Sequence, residues 1–187
     1  MIRPELKYGL VAGGGVSLWF YTEFLLGLHT TRLALGEYSG RFSSLVLLVA
    51  LWLLLKMKRA AFGPLFTLRS GLWSGLFTAF VAATVIYIFL ALYGQFINPG
   101  WLDHALAWKV EQLRAAKVPE TEIREQITFY RQTNTARGLL YSTLISWTLQ
   151  GGFMALLLTF WLNWLGQKAP RFPQQPHPTA DGGAAGS

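Results

Sequence analysis

Cysteine is missing from this 187-residue chain. Its absence excludes structural disulfides, thiolate metal sites and cysteine nucleophiles, and leaves any part outside a membrane to be held by packing alone. Charge is scarce as well: 13% of residues are charged, about half the ~25% of a soluble domain. Catalytic signatures are missing too, with no Walker loop, GxSxG, HExxH or paired carboxylates placed for acid–base work. The run Gly13-Gly14-Gly15 lies inside an apolar stretch with no strand before it, so it is no phosphate cradle. No enzyme, cofactor or metal is therefore expected.

What the chain does have is apolar mass. Hydrophobic residues make up 52% of it, gathered into four long blocks instead of spread at amphipathic spacing. That pattern excludes a soluble globule and a disordered chain. It predicts an all-α polytopic membrane protein with four transmembrane helices, each long enough to cross a ~30 Å hydrocarbon core. The first block covers about 8–28. It is longer than the apolar core of a signal peptide, and the small pair Ala34 and Gly36 lies past His29 and Arg32, too far downstream for cleavage. The second, about 39–57, holds SSLVLLVALWLLL and stops at Lys56, Lys58 and Arg59. The third, about 68–97, is the longest and predicts tilt or protrusion. The fourth covers 138–167 and is apolar to about Leu165.

The net charge of +7 follows the blocks and reads as a topology signal, not as a nucleic-acid surface. With the N-terminus inside, Arg3, Lys7, Lys56, Lys58, Arg59, Arg69, Lys168 and Arg171 crowd the inner helix ends, against Glu5 and Asp181. The outer cations, Arg32, Arg41, Lys109, Arg114, Lys117, Arg124, Arg131 and Arg137, are interleaved with acids. Both termini are therefore expected in the cytoplasm. Tyr8, Trp73, Trp161 and Trp164 then fall near the inner interface, and Tyr38, Phe42, Tyr93, Phe96, Trp101 and Tyr141 near the outer one.

Residues 98–137 hold most of the mixed charge. Asn98-Pro99-Gly100 signals a turn. Leu102, Leu106, Val110 and Leu113 then share one helical face, and Val118-Pro119 breaks the pattern. With Thr121 as N-cap, Ile123, Ile127 and Tyr130 mark a second amphipathic helix. The expectation is an extracytoplasmic helical hairpin whose second arm runs almost unbroken into the fourth span, with Gly138 as hinge. Residues 168–187, rich in Pro, Gly and Gln, predict a disordered cytoplasmic tail.

The order of these features resembles one bacterial family. LKYGLVAG opens the first span and KMKR follows the second; SGLWSGLFTAFVAATVIYIF runs on to FINP, and LRAAKVPETEIREQI precedes the last span. Over residues 6–165 this order is similar to the four-helix membrane proteins grouped as domain of unknown function four-one-nine-nine. The resemblance implies a bacterial inner-membrane protein, and it carries no assigned activity or catalytic residue. The chain departs from the family in its tryptophan content and its proline-rich tail.

Three groups of residues stand out within the spans. Gly71, Gly75, Ala79 and Ala83 recur every four residues, a stripe that lets helices approach to backbone contact. It serves either packing within the chain or an interface with a second copy or a membrane partner. Gly9 and Gly13 offer a matching groove, and Thr143, Gly151, Ala155 and Thr159 share a stripe on the fourth span. Glu23 is the one acid inside a span. It either snorkels or pairs with Arg32 or Arg137, or else it works as a proton or ligand site. Ser142, Ser146 and Gln150 lie four apart and favour interhelical hydrogen bonds over a polar path. His29, Asp103, His104 and Glu111 lie near the outer face without metal-ligand spacing. These features favour a structural or accessory subunit in contact with the bilayer and with a copy of itself or a membrane partner. The alternatives are an oligomeric proton-coupled transporter or channel built on Glu23, and an outer-face lipid enzyme using His29, Asp103 and His104.

Overall fold

A computed structural model describes residues 3–168; the expected tail beyond Lys168 lies outside them. The described residues form six α-helices: α1 Pro4–Leu25, α2 Leu33–Phe62, α3 Leu68–Leu92, α4 Trp101–Ala115, α5 Glu120–Thr133 and α6 Ala136–Lys168. A 3₁₀ turn at Gly63–Leu65 joins α2 to α3, and a π-helical turn at Tyr93–Ile97 extends α3. The fold is all-α.

Local chemistry sets these boundaries. Pro4 opens α1, where a missing N–H costs nothing. The Thr67 hydroxyl accepts from Ser70 N at 3.2 Å and caps α3. Gly63 closes α2 with φ 52°, a left-handed conformation that glycine adopts without strain. α2 begins at Leu33, earlier than the apolar run at 39, because the chain has already turned through Gly27. The second insert helix starts at Glu120 behind Pro119, one position ahead of the expected Thr121 cap, with Glu120 and Glu122 on its positive end. The break before α6 falls at Asn134–Thr135, not at Gly138. Thr135 Oγ1 caps Gly138 N at 3.2 Å, and the Asn134 side chain donates to Tyr130 O at 2.8 Å. Gly138 sits inside the first turn of α6, where a Cβ would meet the Thr133 carbonyl oxygen at 2.6 Å.

Helices α1, α3, α6 and α2 close a ring, in which α3 packs between α1 and α6 and α2 packs on both. Ala12, Leu47, Leu51, Ala79 and Ala82 fill its centre, and Leu55, Phe66, Ala155 and Leu162 fill one end. Helices α4 and α5 pack on each other, and α5 touches α6. The outside is apolar: Leu18, Phe153 and Phe160 are each about two-thirds exposed, which inverts the pattern of a soluble bundle. Of the four expected spans, Leu68–Ile97 and Ala136–Leu165 are long and apolar enough to cross a membrane, with mean hydropathy 2.3 and 1.4. In α1 the glycines and Glu23 dilute the apolar run.

Candidate functional site

Glu23 lies near the end of α1 and is 1% exposed. It neither snorkels nor meets Arg32 or Arg137; its partner is His29. After Leu25 the chain reverses at Gly27, whose φ of 72° suits glycine. The Leu28 amide bonds back to Glu23 O at 2.9 Å, and Thr31 and Arg32 amides bond to Gly27 O. The reversal lays His29 over the acid, with Nε2 3.3 Å from Glu23 Oε2.

The other face of His29 meets α3's extension. Its Nδ1 is 2.7 Å from the Tyr93 hydroxyl, to which Asn98 Nδ2 donates at 3.0 Å. The π turn adds a residue per turn and re-aims Tyr93 inward; Asn98 N closes it on Tyr93 O at 2.8 Å. Phe24 meets the Tyr93 ring edge-on at 5.7 Å, and Phe89 stacks on it at 5.9 Å. One arrangement of protons serves every contact: Asn98 donates to Tyr93, Tyr93 to His29 Nδ1, and His29 Nε2–H to Glu23. Both imidazole nitrogens are thereby used, so His29 is no free base for a bound molecule. Glu23 Oε1 has no hydrogen-bond partner among the described residues.

His29 and Tyr93 also form one wall of a cavity of about 420 Å³. Trp101, Leu102, Leu106 and Trp108 of α4 face them across it, and Phe20, Leu33, Leu90 and Leu139 contribute from the bundle. The polar remainder comes from Lys109, Tyr130 and Asn134. A small-molecule site has this character, with ~300–1,000 Å³ of mainly apolar space and a few placed polar groups.

The other candidates are dispersed. The small-residue stripe is consumed within the chain. A Cβ on Gly71 would strike Thr159, one on Gly75 would strike Ala155, and one on Gly151 would strike Ala79; Ala83 is fully buried. The stripe therefore meets α6. Gly9 and Gly13 meet a different face of α3, where a Cβ would come within 2.8 Å of the Thr78 and Ala82 carbonyl oxygens respectively. Thr143 is also buried. Gln150 does bond between helices, to Ser44 Oγ at 2.8 Å. Ser142 and Ser146 instead bond to carbonyls of their own helix, Leu139 O and Ser142 O, so the three line no common path. Asp103 and His104 are exposed, with Asp103 3.9 Å from Arg131, while Glu111 stands apart on α4. Among the described residues no three His, Asp or Glu side chains converge on a metal position.

A second polar cluster lies at the opposite end, in a cleft of about 580 Å³. Glu5 bonds Lys58, which also donates to Ser74 Oγ at 2.7 Å. Through Lys58 this cluster ties the start of α1 to the end of α2 and to α3. Arg59 similarly ties α2 to α6 through Asn163 at 2.8 Å. In the insert, the Arg114 side chain lowers the Glu120 carboxyl across the α4–α5 turn.

Sequence reasoning places His29 among metal candidates and Tyr93 among interfacial aromatics, and it joins neither to Glu23. The available signal is Gly27, a turn residue between Glu23 and His29; nothing local points to Tyr93.

A family model described as a protein of unknown function, DUF4199, matches residues 7–162. The chain belongs to this family. The match runs from the first turns of α1 to the last turns of α6, so Glu23, His29, Tyr93 and the whole cavity fall within it. Comparisons with curated proteins and with solved structures gave no match.

Proposed function

We propose that this member of the family is a four-span protein of the bacterial inner membrane that binds a small, membrane-soluble molecule. The spans are α1, α2, α3 and α6. Both termini face the cytoplasm, and the α4–α5 hairpin covers the outer end. The observation that carries the binding role is the shared wall: a buried, hydrogen-bonded Glu23–His29–Tyr93–Asn98 chain borders a largely apolar cavity roofed by α4. Because both imidazole nitrogens of His29 are already engaged, the chain supports binding more than catalysis. The accessory-subunit reading loses the stripe that favoured it, since Gly71, Gly75 and Ala79 already pack on α6. A partner would have to use the lipid-facing ridge of Leu149, Phe153 and Phe160 instead.

The absence of cysteine makes topology directly measurable. A Lys117→Cys protein should react with a membrane-impermeant maleimide on spheroplasts, and Ala61→Cys should react only after permeabilisation. The reverse result inverts the orientation, and labelling of both from one side excludes the four-span arrangement. For the ligand, native mass spectrometry of the full chain from mild detergent should show a small non-protein adduct. Ala105→Phe, which fills the cavity from α4, should remove it. An adduct that survives this change would place the bound molecule elsewhere, and a wild-type chain without any adduct would count against a resident ligand.

A further inference from the structure

The cavity wall carries one unbalanced charge. Lys109 is half-buried and lines the cavity, and among the described residues it makes no hydrogen bond or ion pair. The other cations of the insert are placed differently: Arg114 binds Glu120, Arg131 lies beside Asp103, and Lys117, Arg124 and Arg137 are exposed. A partly buried cation on the edge of a largely apolar cavity, with no partner of its own, is placed to receive an anionic group. Eight residues separate Lys109 from Trp101, about 12 Å along α4 at 1.5 Å per residue. Leu102, Ala105, Leu106 and Trp108 fill that interval with apolar wall.

The far end, at His29 and Tyr93, presents aromatic rings whose hydrogen bonds are already made among themselves. An alkyl end can rest there without orphaning a donor. The negative charge of Glu23 behind His29 also sets a direction, because it repels an anion from that end while Lys109 attracts one to the other.

Resting on the ligand-binding reading above, we infer that the ligand is a single-chain anionic amphiphile. Its carboxylate or phosphate head pairs with Lys109, and its chain runs along α4 to Tyr93. The volume of about 420 Å³ lies at the low end for ligand sites and holds one chain, not a pair.

The test uses the full chain in uncharged maltoside micelles. Three probes share a chain of about ten carbons, matched to the ~12 Å between Lys109 and Trp101, with a nitroxide at the methyl end, and differ only in the head: carboxylate, monophosphate or alcohol. The nitroxide quenches Trp101 and Trp108 on contact. Saturable quenching is expected from the two charged probes at about tenfold lower concentration than from the alcohol, the scale of one charge-assisted contact. Lys109→Gln should erase that advantage and Lys109→Arg should keep it, with helicity by circular dichroism confirming that both variants fold. Whichever charged probe binds more tightly names the source, a fatty acid or a phosphate-headed single-chain lipid. Equal binding of the alcohol, or a charge preference that survives Lys109→Gln, overturns the inference and leaves the cavity reading standing, provided Ala105→Phe still blocks quenching. Absence of saturable quenching by all three probes overturns both.

Discussion

A Gly75→Leu protein should fail to accumulate as a folded chain, and Gly75→Ala should already be weakened by about 1–3 kcal/mol, the usual cost of overpacking. Gly75 lies in the close seam between α3 and α6. A Cβ there would overlap that of Ala155 and stand 3.4 Å from the Gly151 carbonyl oxygen. The contact is reciprocal, because Gly151 in turn leaves room for Ala79, and Gly71 for Thr159. Neither helix can retreat cheaply. α3 is held on its other side by α1, where Gly9 and Gly13 lie against the Thr78 and Ala82 carbonyls, and α6 is held by α2. In the proposed membrane setting no hydrophobic drive between helices offsets a lost van der Waals seam. Gly14 supplies the control, since a Cβ there meets nothing within 4 Å. Gly14→Ala should be neutral or gain up to ~1 kcal/mol from helix propensity. Titrating purified protein with a denaturing detergent and following helicity measures both. Wild-type resistance in Gly75→Leu would mean that α3 and α6 are not in backbone contact.

That seam was half legible. A small residue every fourth position announces a close approach, but not which helix makes it, and Gly9 and Gly13 are as good a match on paper as Gly151 and Ala155. Choosing between them needs the ring order α1–α3–α6–α2, which no local period encodes. The apolar blocks were plain because composition alone writes them, whereas their ends depend on single residues. Gly27 stops α1 at Leu25, and Thr135 caps α6 ahead of Gly138. The candidate site was legible only in its acid. Glu23 stands out as a carboxylate in apolar sequence, but the histidine that faces it is brought there by a glycine turn. The tyrosine that completes the chain lies 64 residues from that histidine. The cavity has no sequence signature, because its walls come from all six helices and the turns between them, whose residues are ordinary one by one.

The Glu23–His29 contact makes the second large prediction. His29→Leu should cost about 3 kcal/mol or more, the penalty for leaving a buried carboxylate without the imidazole N–H that satisfies it, which is larger for a charged group than for a neutral one. The loss should exceed that of Glu23→Gln, which keeps the shape and replaces the carboxylate by an amide able to accept from His29 Nε2; that change should cost about 1–3 kcal/mol. The decisive protein is the double variant. With no carboxylate left to strand, His29→Leu made in the Glu23→Gln background should cost far less than in wild type, so the two changes should be strongly non-additive. Leucine is the right replacement because the site is apolar apart from this chain, with Phe20 6.1 Å from the imidazole and Tyr93 5.6 Å away, centroid to centroid. Tyr93→Phe isolates the next link. It removes the hydroxyl between His29 and Asn98 but keeps the ring on Phe24 and Phe89, and should cost about 1–3 kcal/mol. Unfolding free energies from the same detergent titration give every corner of the cycle. Additive losses would separate Glu23 from His29 energetically and reduce their 3.3 Å approach to coincidence. A large coupling would make the pair the element that fixes the α1–α2 reversal against α3, and with it the floor of the cavity.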